Sequence, residues 1–233
     1  MADEKALGGG NVTAVSRVGD TVRRGASPWS NSVQGFLHHL EAAGFDAAPR
    51  ALGFDEQGRE ILSFIEGQVF GYPMPEVVWS DGVLEQAARL LRRYHDATAR
   101  STLRGASEVV CHNDFGPWNL VWKHRRPIAI IDFDNAAPGT RLDDLGYAAW
   151  KHLNLGLIEL PVVEQRRRLN ALADAYGATV DEELLLAIGR AQERMRALIE
   201  SATDPGRDVA LMQVLSEQSW LRTNRRELTD QRR

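Results

Sequence analysis

The sequence carries a single cysteine, Cys111, in 233 residues. An intrachain disulfide is excluded, and a reducing compartment fits. No apolar run reaches membrane-spanning length. Residues 1–7 are charged and lack the apolar core of a signal peptide. The expectation is a cytoplasmic chain with no membrane partner. Excess positive charge is also missing: 28 Lys and Arg face 32 Asp and Glu, for a net charge of -4. That argues against a nucleic-acid partner. Internal repeats and low-complexity tracts are absent. What remains is an ordinary globular composition, 43% hydrophobic and 26% charged, with length enough for one large or two small domains.

The first third reads as strands around one helix. Residues 11–18 alternate apolar and polar, Gly19-Asp20 interrupts, and residues 21–24 resume. This is a hairpin pattern. Gly8-Gly9-Gly10 lies just ahead of it. Ser27-Pro28-Trp29-Ser30 looks like a helix start, Val33, Phe36, Leu37 and Leu40 form a helical stripe, and Gly44 ends it. Residues 51–54 and 60–65 read as two strands around the turn at 55–58. Residues 66–75 hold Gly67, Gly71, Pro73 and Pro75, which suggests a linker. The expected division is 1–66 and 67–233. The second part is mainly helical, with stripes over 81–98, 143–153, 184–199 and 209–221. Between them, 109–111, 119–122 and 128–131 read as short strands.

The chemistry concentrates in His112-Asn113-Asp114-Phe115-Gly116-Pro117-Trp118-Asn119, a polar loop between strand-like runs. A second cluster, Ile130-Ile131-Asp132-Phe133-Asp134, sets a carboxylate straight after an apolar strand. Such a carboxylate calls for a positive neighbour, commonly a metal ion. Phosphoryl transfer needs this set of groups. Mg²⁺ neutralises the phosphate oxygens and takes oxygen ligands, with one or two carboxylates from the protein. Asp132 and the Asn119 amide oxygen are hard oxygen donors of that kind. The acceptor hydroxyl needs a carboxylate to orient it and take its proton, and Asp114 is placed for that. The order His-x-Asp, four residues, Asn matches the catalytic loop of protein kinases.

These stretches, with Asp143-Asp144-Leu145, resemble the aminoglycoside phosphotransferase family, a group that also includes choline, homoserine and other metabolite kinases. The resemblance covers most of the chain and is specific in the C-terminal part. It implies an α+β, two-lobed protein-kinase-like fold with a small β-rich N-lobe and a larger helical C-lobe. It implies Asp114 as catalytic base, Asn119 and Asp132 as Mg²⁺ ligands, and Ser63, Phe64 and Ile65 as the hinge that contacts the nucleotide base. ATP or GTP would be the donor, and a small hydroxylated aminoglycoside or metabolite the acceptor. Asp144 matches a family acidic residue that holds the catalytic loop. The N-lobe departs from the kinase pattern. Arg24 stands where a phosphate-binding lysine is expected, Val33 stands where its glutamate partner is expected, and the glycine run is thin. These departures leave a non-catalytic nucleotide-binding regulatory module as the alternative.

Other residues have plainer readings. Asp134 is open between a second metal contact, a substrate contact and a turn residue. His112 reads as a structural histidine tying the loop to the core. His38-His39 and Arg166-Arg167-Arg168 read as solvated helix faces, Cys111 as a buried thiol, and Trp118 as packing.

Overall fold

The computed structural model describes residues 4–7 and 15–230. The glycine run at 8–10, the first half of the expected strand at 11–14, and Arg232-Arg233 lie outside the described residues. The N-terminal part is a five-stranded antiparallel sheet of β1 (Glu4–Leu7), β2 (Val15–Val18), β3 (Thr21–Arg24), β4 (Ala51–Phe54) and β5 (Glu60–Ser63), in the order β1-β2-β3-β5-β4. The hairpin turns at Gly19-Asp20, with Val18 opposite Thr21. In the β3–β5 pair Arg24 stands opposite Glu60. That register decides much of the site.

Helix α1 (Ser30–Ala42) buries the anticipated stripe of Val33, Phe36, Leu37 and Leu40. Its Phe36 ring meets Phe133 at 5.8 Å and Tyr94 at 6.3 Å, edge-on in both cases. This aromatic contact fastens the N-terminal part to the loop that carries Asp132 and Asp134.

The C-terminal part contains α2 (Asp81–Thr98), α3 (Arg141–Leu153), α4 (Val162–Tyr176), α5 (Glu182–Ser201) and α6 (Arg207–Thr229). Two small hairpin-like pairs join them: β6 (Val109–Cys111) with β9 (Ala137–Gly139), and β7 (Leu120–Lys123) with β8 (Arg126–Ile130). Helix α2 carries the core, with Leu91 and Tyr94 fully buried. A buried leucine of this kind contributes about 2–3 kcal/mol by transfer alone. Helix α3 crosses α5 closely at Gly146, where a Cβ would sit 2.6 Å from the Ala187 carbonyl carbon. Only glycine lets the helices approach that far.

Several expectations are corrected. Strand β5 stops at Ser63, so residues 64 and 65 are connection rather than strand. Helix α6 continues past residue 221 to Thr229. Strand β1, which the sequence reading noted only as charged residues, pairs with β2 as the sheet edge. Helix α4, read from sequence only as a solvated face at Arg166-Arg167-Arg168, has a partly polar inward face, with Gln165 and Arg168 buried beside Leu169 and Leu172. Arg168 therefore does not lie on a solvated face. It is 4% exposed, pairs with Asp81 at 3.3 Å and donates to the Trp79 carbonyl. An arginine can go inside when its fork is filled this way.

Candidate active site

Two loops meet at the base of the cleft. The first, residues 112–119, leaves β6 and ends in a 3-10 turn at Pro117–Asn119. The second begins after β8. His112 Nε2 donates to the Ile131 carbonyl at 3.0 Å, and Ile131 N donates to the Asn119 carbonyl at 2.9 Å. His112 Nδ1 accepts from Asp114 N at 3.3 Å. Both imidazole nitrogens are thus used within the loop pair, and the tautomer is fixed by the carbonyl acceptor.

Asp144, at the start of α3, lies beneath the first loop and is fully buried. Its carboxylate accepts from His112 N at 2.6 Å, Asn113 N at 2.8 Å and His95 Nε2 at 3.0 Å. Burial raises its pKa, but the bonds and charge from His95 outweigh that and hold it below the ordinary carboxylate range. These bonds clamp Asn113 in the left-handed region, at φ 63°. Asn is among the few side chains that tolerate it. Asp132 also adopts φ 66°. Both departures lie in the two loops that hold the candidate residues Asp114 and Asp132.

Asp114 is held on both sides. Its Oδ1 accepts from Tyr147 Oη at 2.5 Å and its Oδ2 from Asn119 Nδ2 at 2.8 Å. The same Asn119 nitrogen also donates to the Asp114 carbonyl at 2.9 Å. The Asn119 amide oxygen is thereby the atom left to face a cation. Burial, and then the charge of Asp114, push the Tyr147 phenol far above its ordinary pKa. It stays protonated and can only donate to the carboxylate. Tyr147 was missed by sequence reading. Its signal was helical spacing: it follows Asp144 by three residues on the same face of α3.

Asp132 is half exposed at its side chain, 3.7 Å from Arg24 Nη1. Burial of its carboxyl and the charge of Asp134 raise its pKa, against the pull of Arg24. Such crowding of carboxylates is relieved by a cation. Among the described residues no three His, Cys, Asp or Glu groups converge on one point. Mg²⁺ takes one or two protein ligands and fills its shell with phosphate and water oxygens. The donor set of Asn119 and Asp132 fits it.

Arg24 reaches into this region from the sheet. Nε donates to Glu60 Oε2 at 2.6 Å and Nη2 to Asp134 Oδ1 at 2.6 Å. Glu60 is 1% exposed and also accepts from Gln34 of α1 at 3.3 Å. The helix glutamate of the kinase pattern is absent, as expected at Val33, but Arg24 does have a glutamate partner. It comes from the neighbouring strand, and the helix contributes Gln34 behind it. Glu60 was missed because the register between β3 and β5, two strands separated in the chain by α1 and β4, cannot be read from sequence.

The expected hinge divides. Phe64 and Ile65 line a cleft of about 370 Å³ with Leu7, Gln68, Phe70 and Val121. Ser63 is not among its lining residues; its Oγ accepts from Arg50 N at 2.8 Å. Trp118 lies over Gly116, where a Cβ would overlap its ring at 2.4 Å, and stands 5.8 Å from the exposed Tyr72 ring. Cys111 is buried, and burial pushes its thiol well up, far from reactivity. No helix among the described residues is long and apolar enough to cross a membrane.

Comparison with known proteins agrees with this geometry. A family model described as the phosphotransferase enzyme family matches residues 100–198. The chain is 36% identical to the trifolitoxin immunity protein of Rhizobium leguminosarum bv. trifolii, over 88% of this chain and 87% of that one. Among solved structures it resembles a choline/ethanolamine kinase family protein from Mesorhizobium loti, with TM-score 0.65, 17% identity, and 98% and 91% of the two chains covered. It also resembles APH(2″)-IIa in complex with streptomycin and ATP, with TM-score 0.58, 12% identity, and 94% and 93% covered. The chain belongs to the phosphotransferase enzyme family: it has the two-lobed, protein-kinase-like α+β fold, and it is a phosphotransferase.

Proposed function

We propose that this enzyme transfers the terminal phosphoryl group of ATP or GTP to a hydroxyl of a small molecule, with Asp114 as base. The observation that carries the reading is the convergence of Asp114, Asn119 and Asp132 from two loops bonded to each other. The nucleotide-binding part is 1–66 and the catalytic part 67–233. The division falls just before Gln68, which pairs with Trp122 of the C-terminal part.

The nucleotide base occupies the cleft beside Phe64 and Ile65, and Ser63 acts only by holding that segment to β4. The phosphates extend toward Arg24, which Glu60 aims at the carboxylates of the second loop. There Arg24 exchanges Asp134 for phosphate oxygen, an exchange a bidentate guanidinium makes readily. Mg²⁺, when bound, would be held by Asn119 and Asp132 and would neutralise charge on the phosphates. Asp134 serves as the resting partner of Arg24. His112 and Asp144 hold the loop.

The acceptor hydroxyl sits at Asp114. The Tyr147 and Asn119 bonds fix the carboxylate, so its remaining lone pair orients the hydroxyl. The new O–P bond forms as the bond from the terminal phosphorus to the bridging oxygen breaks, and the hydroxyl proton passes to Asp114. Most of the rate gain is positioning and charge stabilisation.

The acceptor is a small hydroxylated compound. The immunity function in the name of the Rhizobium relative favours a toxin as acceptor over a housekeeping metabolite. The complete catalytic set speaks against a non-catalytic module. A cytoplasmic address suits a consumer of nucleotide triphosphate. The test is transfer from ATP and GTP across a panel of hydroxylated antibiotics and metabolites. Asp114→Ala should abolish transfer while remaining folded; full activity in that variant would refute the assignment of the base.

A further inference from the structure

Of the 28 Lys and Arg residues only three are lysines: Lys5, Lys123 and Lys151. Lys5 and Lys123 lie exposed on strands, while Lys151 is partly buried on α3. It follows Tyr147 by four residues, so both occupy one face of the helix. That face is the one from which Tyr147 reaches Asp114.

Lys151 has no ion pair or hydrogen bond among the described residues. Its Nζ sits 3.4 Å above the centre of the Trp150 ring. The nearby groups are committed elsewhere. Glu217 of α6 is 1% exposed and accepts from Trp150 Nε1 at 2.9 Å and Gln213 Nε2 at 3.1 Å. Asp114 is engaged by Tyr147 and Asn119. Burial pulls the ammonium's pKa down to about 8, with Glu217 and Asp114 opposing. Desolvating a cation without an anionic partner works against the fold. The chain elsewhere uses arginine for its ion pairs, and here it keeps a compact cation beside the base.

We propose that Lys151 binds an anionic group of the acceptor, a carboxylate or phosphate, while the acceptor hydroxyl lies at Asp114. The acceptor is therefore a hydroxylated anion, and polycations are disfavoured at this position by like charge. This rests on Asp114 as the base and adds the class of acceptor. A plain packing role, with the lysine stem covering Trp150, is the competing account.

The experiment compares matched acceptors: glycerol, glycerate and glycerol phosphate; N-acetylserine amide and N-acetylserine; and choline and kanamycin as cations. Wild type, Lys151→Met and Lys151→Arg are assayed, with melting temperatures as a folding control. The proposal expects kcat/KM at least tenfold higher for the anionic member of a pair. Lys151→Met should lose that advantage and Lys151→Arg should keep most of it. Carboxylate and phosphate arms distinguish the two anions. Equal or better use of neutral or cationic members overturns the proposal, as does an advantage that survives in Lys151→Met. Either result leaves Asp114 standing if Asp114→Ala is dead. Should no small probe accept phosphate, the full-length wild type is reductively methylated with carbon-13 and titrated with glycerate and with inorganic phosphate, in the presence of nucleotide and Mg²⁺. The Lys151 resonance, assigned by its absence in Lys151→Arg, should shift with either anion. No shift with either overturns the proposal.

Discussion

Asp144→Asn is the sharpest probe of how the loop is held. The carboxylate accepts three bonds, two of them from consecutive backbone N–H groups. An asparagine has one acceptor oxygen. It can satisfy one side, but its NH₂ must then face a buried donor on the other. Hydrogen bonds to charged groups contribute about 1.5–3 kcal/mol each, and an orphaned buried donor costs about 1–3 kcal/mol. The substitution should cost about 3 kcal/mol, because an amide oxygen in the place of Oδ2 keeps the His95 and His112 bonds while Asn113 N–H loses its acceptor, and relaxation recovers part of that loss. For a chain of this size that is roughly 6–12 °C in melting temperature. The loss should also depend on pH. Asp144 has a folded pKa below its unfolded value, so its contribution is full above the unfolded value, near 4, and fades as pH falls toward the folded one. Wild type and variant should therefore converge in acid. Urea unfolding at neutral pH and in acid, followed by circular dichroism, measures both. A variant within about 0.5 kcal/mol of wild type at neutral pH would refute the clamp.

Other outcomes follow from the same geometry. Tyr147→Phe removes the donor to Asp114 and should lower kcat by about tenfold, one charged hydrogen bond's worth, with nucleotide affinity unchanged; steady-state kinetics and nucleotide titration separate the two. Burial pushes the His152 imidazole down to about 4 from its ordinary 6.5, so the folded state binds fewer protons than the unfolded chain between those values. Wild type should lose stability as pH falls from 6.5 to 4, and a His152→Met variant should lose less over that window, read by urea unfolding. Lys151→Met should stabilise the protein near pH 7, by about 1–2 kcal/mol after allowance for partial exposure, and the gain should vanish above pH 10.5, where the lysine is neutral in both states. Gly116→Ala forces a Cβ into the Trp118 ring and should lower activity and melting temperature together.

The candidate stretch could be picked out because its signal is local. His112, Asp114 and Asn119 fall within eight consecutive residues, and Asp132 follows an apolar strand directly. The helices α2 and α3 were legible for the same reason, since a stripe such as Val83, Leu84, Ala87 and Leu91 announces its buried face. What escaped depends on long-range pairing. Glu60 becomes the partner of Arg24 only through the β3–β5 register. Tyr147 gains meaning only once α3 is laid under the loop. Arg168 defied the rule that charge faces water because Asp81 and a carbonyl fill its fork.

The central claim is that Asp114 takes the acceptor proton in a site whose nucleotide-binding part works independently of it. The most direct measurement is single-turnover transfer of labelled terminal phosphate from ATP or GTP by wild type and Asp114→Asn, with nucleotide affinity measured on both. The account predicts loss of transfer by about two orders of magnitude or more in the variant, with nucleotide affinity essentially unchanged. Wild-type transfer rates in Asp114→Asn would contradict it.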